Sequence, residues 1–100
     1  MGWPSGAAHV MLGREMRDPM DHVRFAFVRN GRLTSLPRRR VLLRAACALL
    51  ADRFTTGRRY AEAEVNEILA GDAPDHATLR RLLVDEGFLH RERGEYWRDA

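Results

Sequence analysis

Arginine is the residue type whose placement in this chain first invites a chemical reading. Arg38, Arg39 and Arg40 follow one another directly after Pro37, at the expected start of a long helix, and Arg44 comes one turn after Arg40. A helix N-terminus already carries partial positive charge on its unpaired N–H groups, so three cations there stabilise no helix. A bound anion would gain from both sources. Guanidinium groups make paired hydrogen bonds to phosphate or carboxylate oxygens, and the cluster reads as a phosphate or acidic-partner site. A solvated basic face is the plainer account of the same run. Arg80 and Arg81 form the second candidate group. If Leu79, Leu82 and Leu83 turn inward on a helix, then Ala77, Arg80, Arg81 and Val84 face outward. Arginine grips a guanine edge by two bonds, and small apolar groups touch a thymine methyl. An arginine beside an exposed valine equally suits a protein interface, and Asp85 offers Arg81 a simple ion pair one turn on. Arg58, Arg59, Arg91 and Arg93 would add contacts from strands or a wing.

No arrangement suggests catalysis. His9, His22, His76 and His90 lack the i, i+4 spacing of paired metal ligands, and no glycine-rich phosphate loop is present. Cys47 lies at the margin of an apolar helix face and reads as a packing residue, with no further ligands at metal-site spacing. The Asp and Glu residues fall on polar faces. The expectation is a protein that is no enzyme and carries no metal or cofactor. Tyr60, Tyr96 and Trp97 could stack on unpaired bases, but in so short a chain their aromatic bulk is expected in the core and at its edges. Glu62, Glu64 and Glu67 count against duplex binding, because in ordinary helix-turn-helix docking they would stand near phosphates with no base beside them.

The elements that must position these residues are legible in outline. Asp18-Pro19 opens a helix with a cap and a proline at its first position, and Met20, Val23 and Phe27 recur at helical spacing. Asn30-Gly31 closes it. The competing reading is a hairpin, with Phe25 to Val28 and Arg32 to Thr34 paired around Asn-Gly. Leu33 to Leu36 is extended. A helix then runs from Pro37 to about Phe54, burying Leu42, Leu43, Ala46, Leu49, Leu50 and Phe54. Arg58 to Tyr60 suit a short strand. A second helix over about Ala61 to Ala70 buries Val65, Ile68 and Leu69, and a third runs from the cap Asp75 to Gly87. Phe88 to Arg91 and Glu95 to Arg98 alternate around Arg93-Gly94 as a hairpin. Residues 1–17 show no periodicity and are expected to be disordered, with Met11, Met16 and Met20 as alternative starts.

At 100 residues the chain has room for one domain, here residues 18–100. Its longest uncharged apolar run, Ala45 to Ala51, is too short to span a bilayer, and no signal-peptide pattern opens it. One cysteine allows no internal disulfide, so a cytoplasmic protein is expected. All 17 basic residues are arginine. Residues 32–59 hold eight of them against Asp52 alone, a local charge of +7, whereas residues 60–79 hold five acids and no base, a local −5. The surface expected from this order is dipolar.

The stretches RLTSLPRRR, FTTGRRYAEAEVNEIL, DHATLRRLLVDEGFLHR and EYWR, from Leu33 to Arg98, resemble in order and spacing the bacterial domain of unknown function 2087 family. The resemblance implies a winged-helix-like domain, found alone or fused in transcriptional regulators. Two departures stand out: Ala61 replaces the usual Ser or Thr at the head of the second helix, leaving half a capping box with Glu64, and the hairpin loop is short. The expectation is therefore a mainly α, α+β fold: a winged helix-turn-helix-like three-helix core with a small C-terminal hairpin and an extra N-terminal helix. The expected function is that of a small DNA-binding protein of the transcriptional-regulator type. Arg38, Arg39, Arg40 and Arg44 would hold phosphates of double-stranded DNA, Arg80 and Arg81 would reach bases, and Arg58, Arg59, Arg91 and Arg93 would assist. A homodimer is expected, since most such readers are dimeric. The alternative is a protein-interaction or dimerisation module that binds no DNA itself.

Overall fold

A computed structural model of the chain describes residues 18–99, so the expectation of a disordered segment at 1–17 lies outside the described residues. Asp18 begins the first helix, α1 (Pro19–Phe27), its carboxylate accepting from the Met20 N–H at 2.9 Å. The helix and the hairpin that compete for residues 18–34 both form, in series. α1 ends at Phe27, and β1 (Val28–Arg29) pairs antiparallel with β2 (Arg32–Leu33). Asn30 and Gly31 make the turn between them, both at positive φ. That turn requires left-handed geometry at both positions, which Asn tolerates and Gly adopts without strain.

The second helix, α2 (Arg40–Ala51), starts three residues later than the sequence suggests. Pro37 is buried, and Arg39 is still extended (φ −70°, ψ 133°) as the residue before the first turn. Its inner face is Leu42, Ala46, Cys47, Leu50 and Ala51, with Phe54 buried just beyond the helix; Leu43 and Leu49 sit half-buried at the margin. β3 (Arg59–Ala61) follows, then α3 (Glu62–Leu69) and α4 (His76–Asp85). α3 has no side-chain cap at Ala61, and Glu64 alone reaches back, accepting from the Ala61 N–H at 2.9 Å. α4 is properly capped by Asp75, which accepts from the Thr78 N–H at 2.8 Å.

The C-terminal hairpin is β4 (His90–Glu92) and β5 (Glu95–Trp97); β5 ends one residue early, and β4 runs one residue further than its alternation suggests but starts two residues late. The reason lies in the end of α4: the N–H groups of Phe88 and Leu89 both donate to the Leu83 carbonyl, which keeps them with the helix. β5 lies between β4 and β3, giving a three-stranded antiparallel sheet of order β3-β5-β4. The described residues thus form four helices, two small antiparallel sheets and a C-terminal hairpin around one core. Val23, Leu33, Leu50, Val65, Leu69, Leu79, Leu83, Leu89 and Tyr96 are buried together there. Each such aliphatic side chain stabilises the fold by about 1.5–3 kcal/mol relative to exposure. No described helix is long and apolar enough to cross a membrane.

Candidate nucleic-acid interface

Folding divides the ten arginines singled out by sequence into those held by acids and those that are not. Arg40 and Arg44 belong to the first group. Arg40 donates from both terminal nitrogens to the Glu86 carboxylate, at 3.0 and 3.2 Å, and Arg44 donates to the same carboxylate at 2.8 Å. Arg44 also lies over the Phe88 ring, 4.9 Å from its centroid. Glu86 caps the C-terminal end of α4, so these two cations of α2 lock the end of that helix in place. The Arg44 hydrogen bond first, and Arg40 with it, hold the Glu86 carboxyl below the usual range. The expected place of Arg38, Arg39 and Arg40 together in the first turn of the helix is corrected: Arg38 and Arg39 precede it, and Arg40, its first residue, is paired.

Arg80 is the second correction. It does not face outward for base reading; its side chain is 17 % exposed and turns onto α3, where it bonds the Asn66 side-chain oxygen and stands 3.8 Å from Glu62. The Tyr96 hydroxyl donates to the same Glu62 carboxylate at 3.0 Å. Arg58 pairs with Glu64 at 3.1 Å and covers the Tyr60 ring, while Arg59 lies 3.6 Å from the Trp97 ring centroid, with Glu95 at 4.0 Å. Tyr60 and Tyr96 are themselves buried, which removes both as stacking platforms. These pairs also correct the reading of the second helix as acidic with no base nearby. Glu62 and Glu64 each have an arginine, contributed by α4 and by the loop before β3.

Arg81, Arg91 and Arg93 make no ion pair among the described residues, and all three are exposed. Arg81 projects from α4, Arg91 from β4, and Arg93 occupies the hairpin turn at φ 52°, next to Gly94. Arg81 and Arg91 both line a small cleft of about 130 Å³, together with Arg80, Val84, Asp85 and Tyr96. Arg91 lies over the Tyr96 ring at 5.7 Å. The Asp85 pairing available to Arg81 is not made. Arg38 and Arg39 are likewise exposed without an acid, but at a separate groove beside α1 and the start of α2.

The residue that sequence reasoning missed is Asp72, in the link between α3 and α4. It is no surface carboxylate: its side chain is fully buried. Oδ1 accepts from the Leu33 N–H at 2.7 Å and from Arg53 at 2.8 Å; Oδ2 accepts from Arg53 at 2.6 Å and from Arg32 at 3.1 Å. Burial alone would raise its pKa, but the Arg53 bonds, the Leu33 N–H and Arg32 outweigh it, and the carboxyl sits below its ordinary value. The junction fixes the α3–α4 turn to β2 and to the end of α2. No local signal reveals it, because its partners lie 19 to 40 residues away. Cys47 is a packing residue, fully buried on the inner face of α2 rather than at the margin where the sequence places it. No group of three or more potential metal ligands occurs among the described residues.

The sequence model of a family described as an uncharacterized protein conserved in bacteria (DUF2087) matches residues 32–98. No curated protein and no solved structure matches the chain.

Proposed function

The chain belongs to the DUF2087 family of bacterial proteins, and from that premise we propose that it is a small DNA-binding protein of the transcriptional-regulator type. The element order from α2 onward is helix, strand, helix, helix, hairpin, with the single strand β3 paired to the second strand of the hairpin. That is the order of a winged helix-turn-helix, in which α4 would be the recognition helix and the β4–β5 hairpin the wing.

Likeness of fold argues for no function by itself. The observation that carries this reading is the position of Arg81, Arg91 and Arg93: exposed, without acid partners, on the two elements that would meet the duplex. Arg81 would reach a base edge in the major groove, with the half-buried Val84 one turn on, while Arg91 and Arg93 would take backbone phosphates. Arg40 and Arg44 act differently from direct phosphate contact. Through Glu86 they hold the recognition helix at its C-terminal end. Pairing of Glu62 and Glu64 also lessens their repulsion of phosphates.

The test is fluorescence anisotropy on mixed-sequence duplex DNA over a range of salt concentrations, with light scattering to follow the oligomeric state. Expected is binding that weakens steeply as salt rises and that is lost in the variant Arg81→Ala, Arg91→Ala, Arg93→Ala, whose circular dichroism stays unchanged. Absence of binding at low salt would sink this reading and leave a module that acts through other proteins.

A further inference from the structure

The groove beside α1 stands apart from the proposed DNA face. Its volume is about 600 Å³, within the range of real ligand pockets. Phe27, Leu36 and Leu42 give it an apolar floor, Arg38 and Arg39 give it a charged side, and no carboxylate lines it. It shares no residue with the cleft that Arg81 and Arg91 line.

Two further observations bear on what it takes. Phe25 and Val41 are the large apolar side chains left exposed among the described residues, at 74 % and 52 %. They stand on α1 and α2, the helices beside the groove, but neither lines it; His22 and the exposed Ser35 complete its lining. The two adjacent arginines, meanwhile, have no acid partner among the described residues, although Arg40 beside them has one. What the groove lacks is therefore a carboxylate attached to apolar side chains.

We infer that this groove docks an acidic, apolar peptide segment of a partner protein. Leu or Phe side chains of the segment enter between Phe27, Leu36 and Leu42, and its Asp or Glu side chains pair with Arg38 and Arg39. Docking here leaves Arg81, Arg91 and Arg93 uncovered, and the inference stands whether or not the chain binds duplex.

The test is selection on the full chain from a displayed library of short peptides randomised at every position among Asp, Glu, Lys, Leu and Phe. Anisotropy of the enriched peptides follows. Expected are sequences that combine Asp or Glu with Leu or Phe. They should bind roughly tenfold more weakly to the Arg38→Ala, Arg39→Ala variant and to Ser35→Glu, both with unchanged circular dichroism. Enrichment of Lys-containing peptides, no enrichment, or binding indifferent to these variants would each overturn the inference. Displacement of the peptide by duplex DNA would also overturn it, by assigning Arg38 and Arg39 to the nucleic-acid face. So would self-association abolished in the Arg38→Ala, Arg39→Ala variant, which would make the occupant a second copy.

Discussion

Asp72 and Cys47 are both buried, and burial acts on them with opposite results. At Cys47 the loss of water prevails: burial first, with Glu86 adding to it and Arg44 opposing only in part, pushes the thiol up to about 11. At pH 8 only about one such thiol in a thousand is ionised, and the thiolate is the reactive form. Native protein should therefore resist an aromatic disulfide reagent that labels the guanidinium-unfolded chain at once; fast native labelling would contradict the buried position. At Asp72 two arginines and a backbone N–H overcome the same desolvation. Removing the carboxylate in Asp72→Ala strands the Leu33 N–H and the half-buried Arg53. The expected loss is about 2–3 kcal/mol by urea unfolding, less than for a fully buried pair because Arg32 and Arg53 keep some water. Since the folded pKa lies below the unfolded one, this contribution is fully present above the ordinary Asp pKa of about 3.9. It is lost as pH falls from there through the folded value. The wild-type stability curve should fall over that window, and the Asp72→Ala curve should be flatter across it.

The helices differ in how much of their own ends they satisfy. α4 carries an aspartate cap, while α3 begins on Ala61, whose backbone already has the extended geometry of a cap residue (φ −71°, ψ 157°). A hydroxyl placed there would find an unpaired N–H of the first turn, completing the reciprocal arrangement with Glu64. Ala61→Ser should therefore stabilise the protein by about 1 kcal/mol in urea unfolding at an unchanged m-value. No gain would mean that pairing of Ala61 with Glu95 in the sheet, rather than the missing cap, governs this junction. α2 is a different case, since its late start leaves Arg38 and Arg39 outside the helix. Pro37 is equally at home at a first helical position and in the extended link before a helix, so its presence does not fix the boundary. Its burial against the core decides for the link.

At the scale of the whole molecule, charge is redistributed by folding. The basic stretch 32–59 and the acidic stretch 60–79 do not form two opposed faces, because Arg32 and Arg53 close on Asp72 and Arg58 closes on Glu64. The described arginines left without an ion pair are Arg81 on α4, Arg91 and Arg93 on the hairpin, Arg38 and Arg39 at the α1 groove, and Arg29 on β1. If the proposed DNA face is right, Arg91→Ala and Arg93→Ala should each reduce the slope of log affinity against log salt by roughly 0.9. Arg81→Ala should leave that slope nearly intact and flatten the preference among duplex sequences. Equal effects of all three on the slope would remove Arg81 from the base-reading role.

Much of the fold could be read from sequence because it rests on local signals. The alternation around Arg93-Gly94, the Asp75 cap, and the spacing of Leu79 and Leu83 each fix an element from within a few residues. The stretches from Leu33 to Arg98 added the family. The turn at Asn30-Gly31 was legible as well, although a short helix and a hairpin turn out to follow one another where they had read as alternatives. The candidate site was less legible, for a physical reason. Whether an arginine is available depends on which carboxylate comes within about 3 Å of it in the folded chain. Those carboxylates are distant in sequence: Glu86 lies 46 residues from Arg40, and Asp72 lies 19 from Arg53. Sequence by itself thus determined the elements, their order and the kind of charge the surface carries. Tertiary structure alone decided which arginines stiffen the fold and which remain for a partner, because ion pairing is set by distance in space.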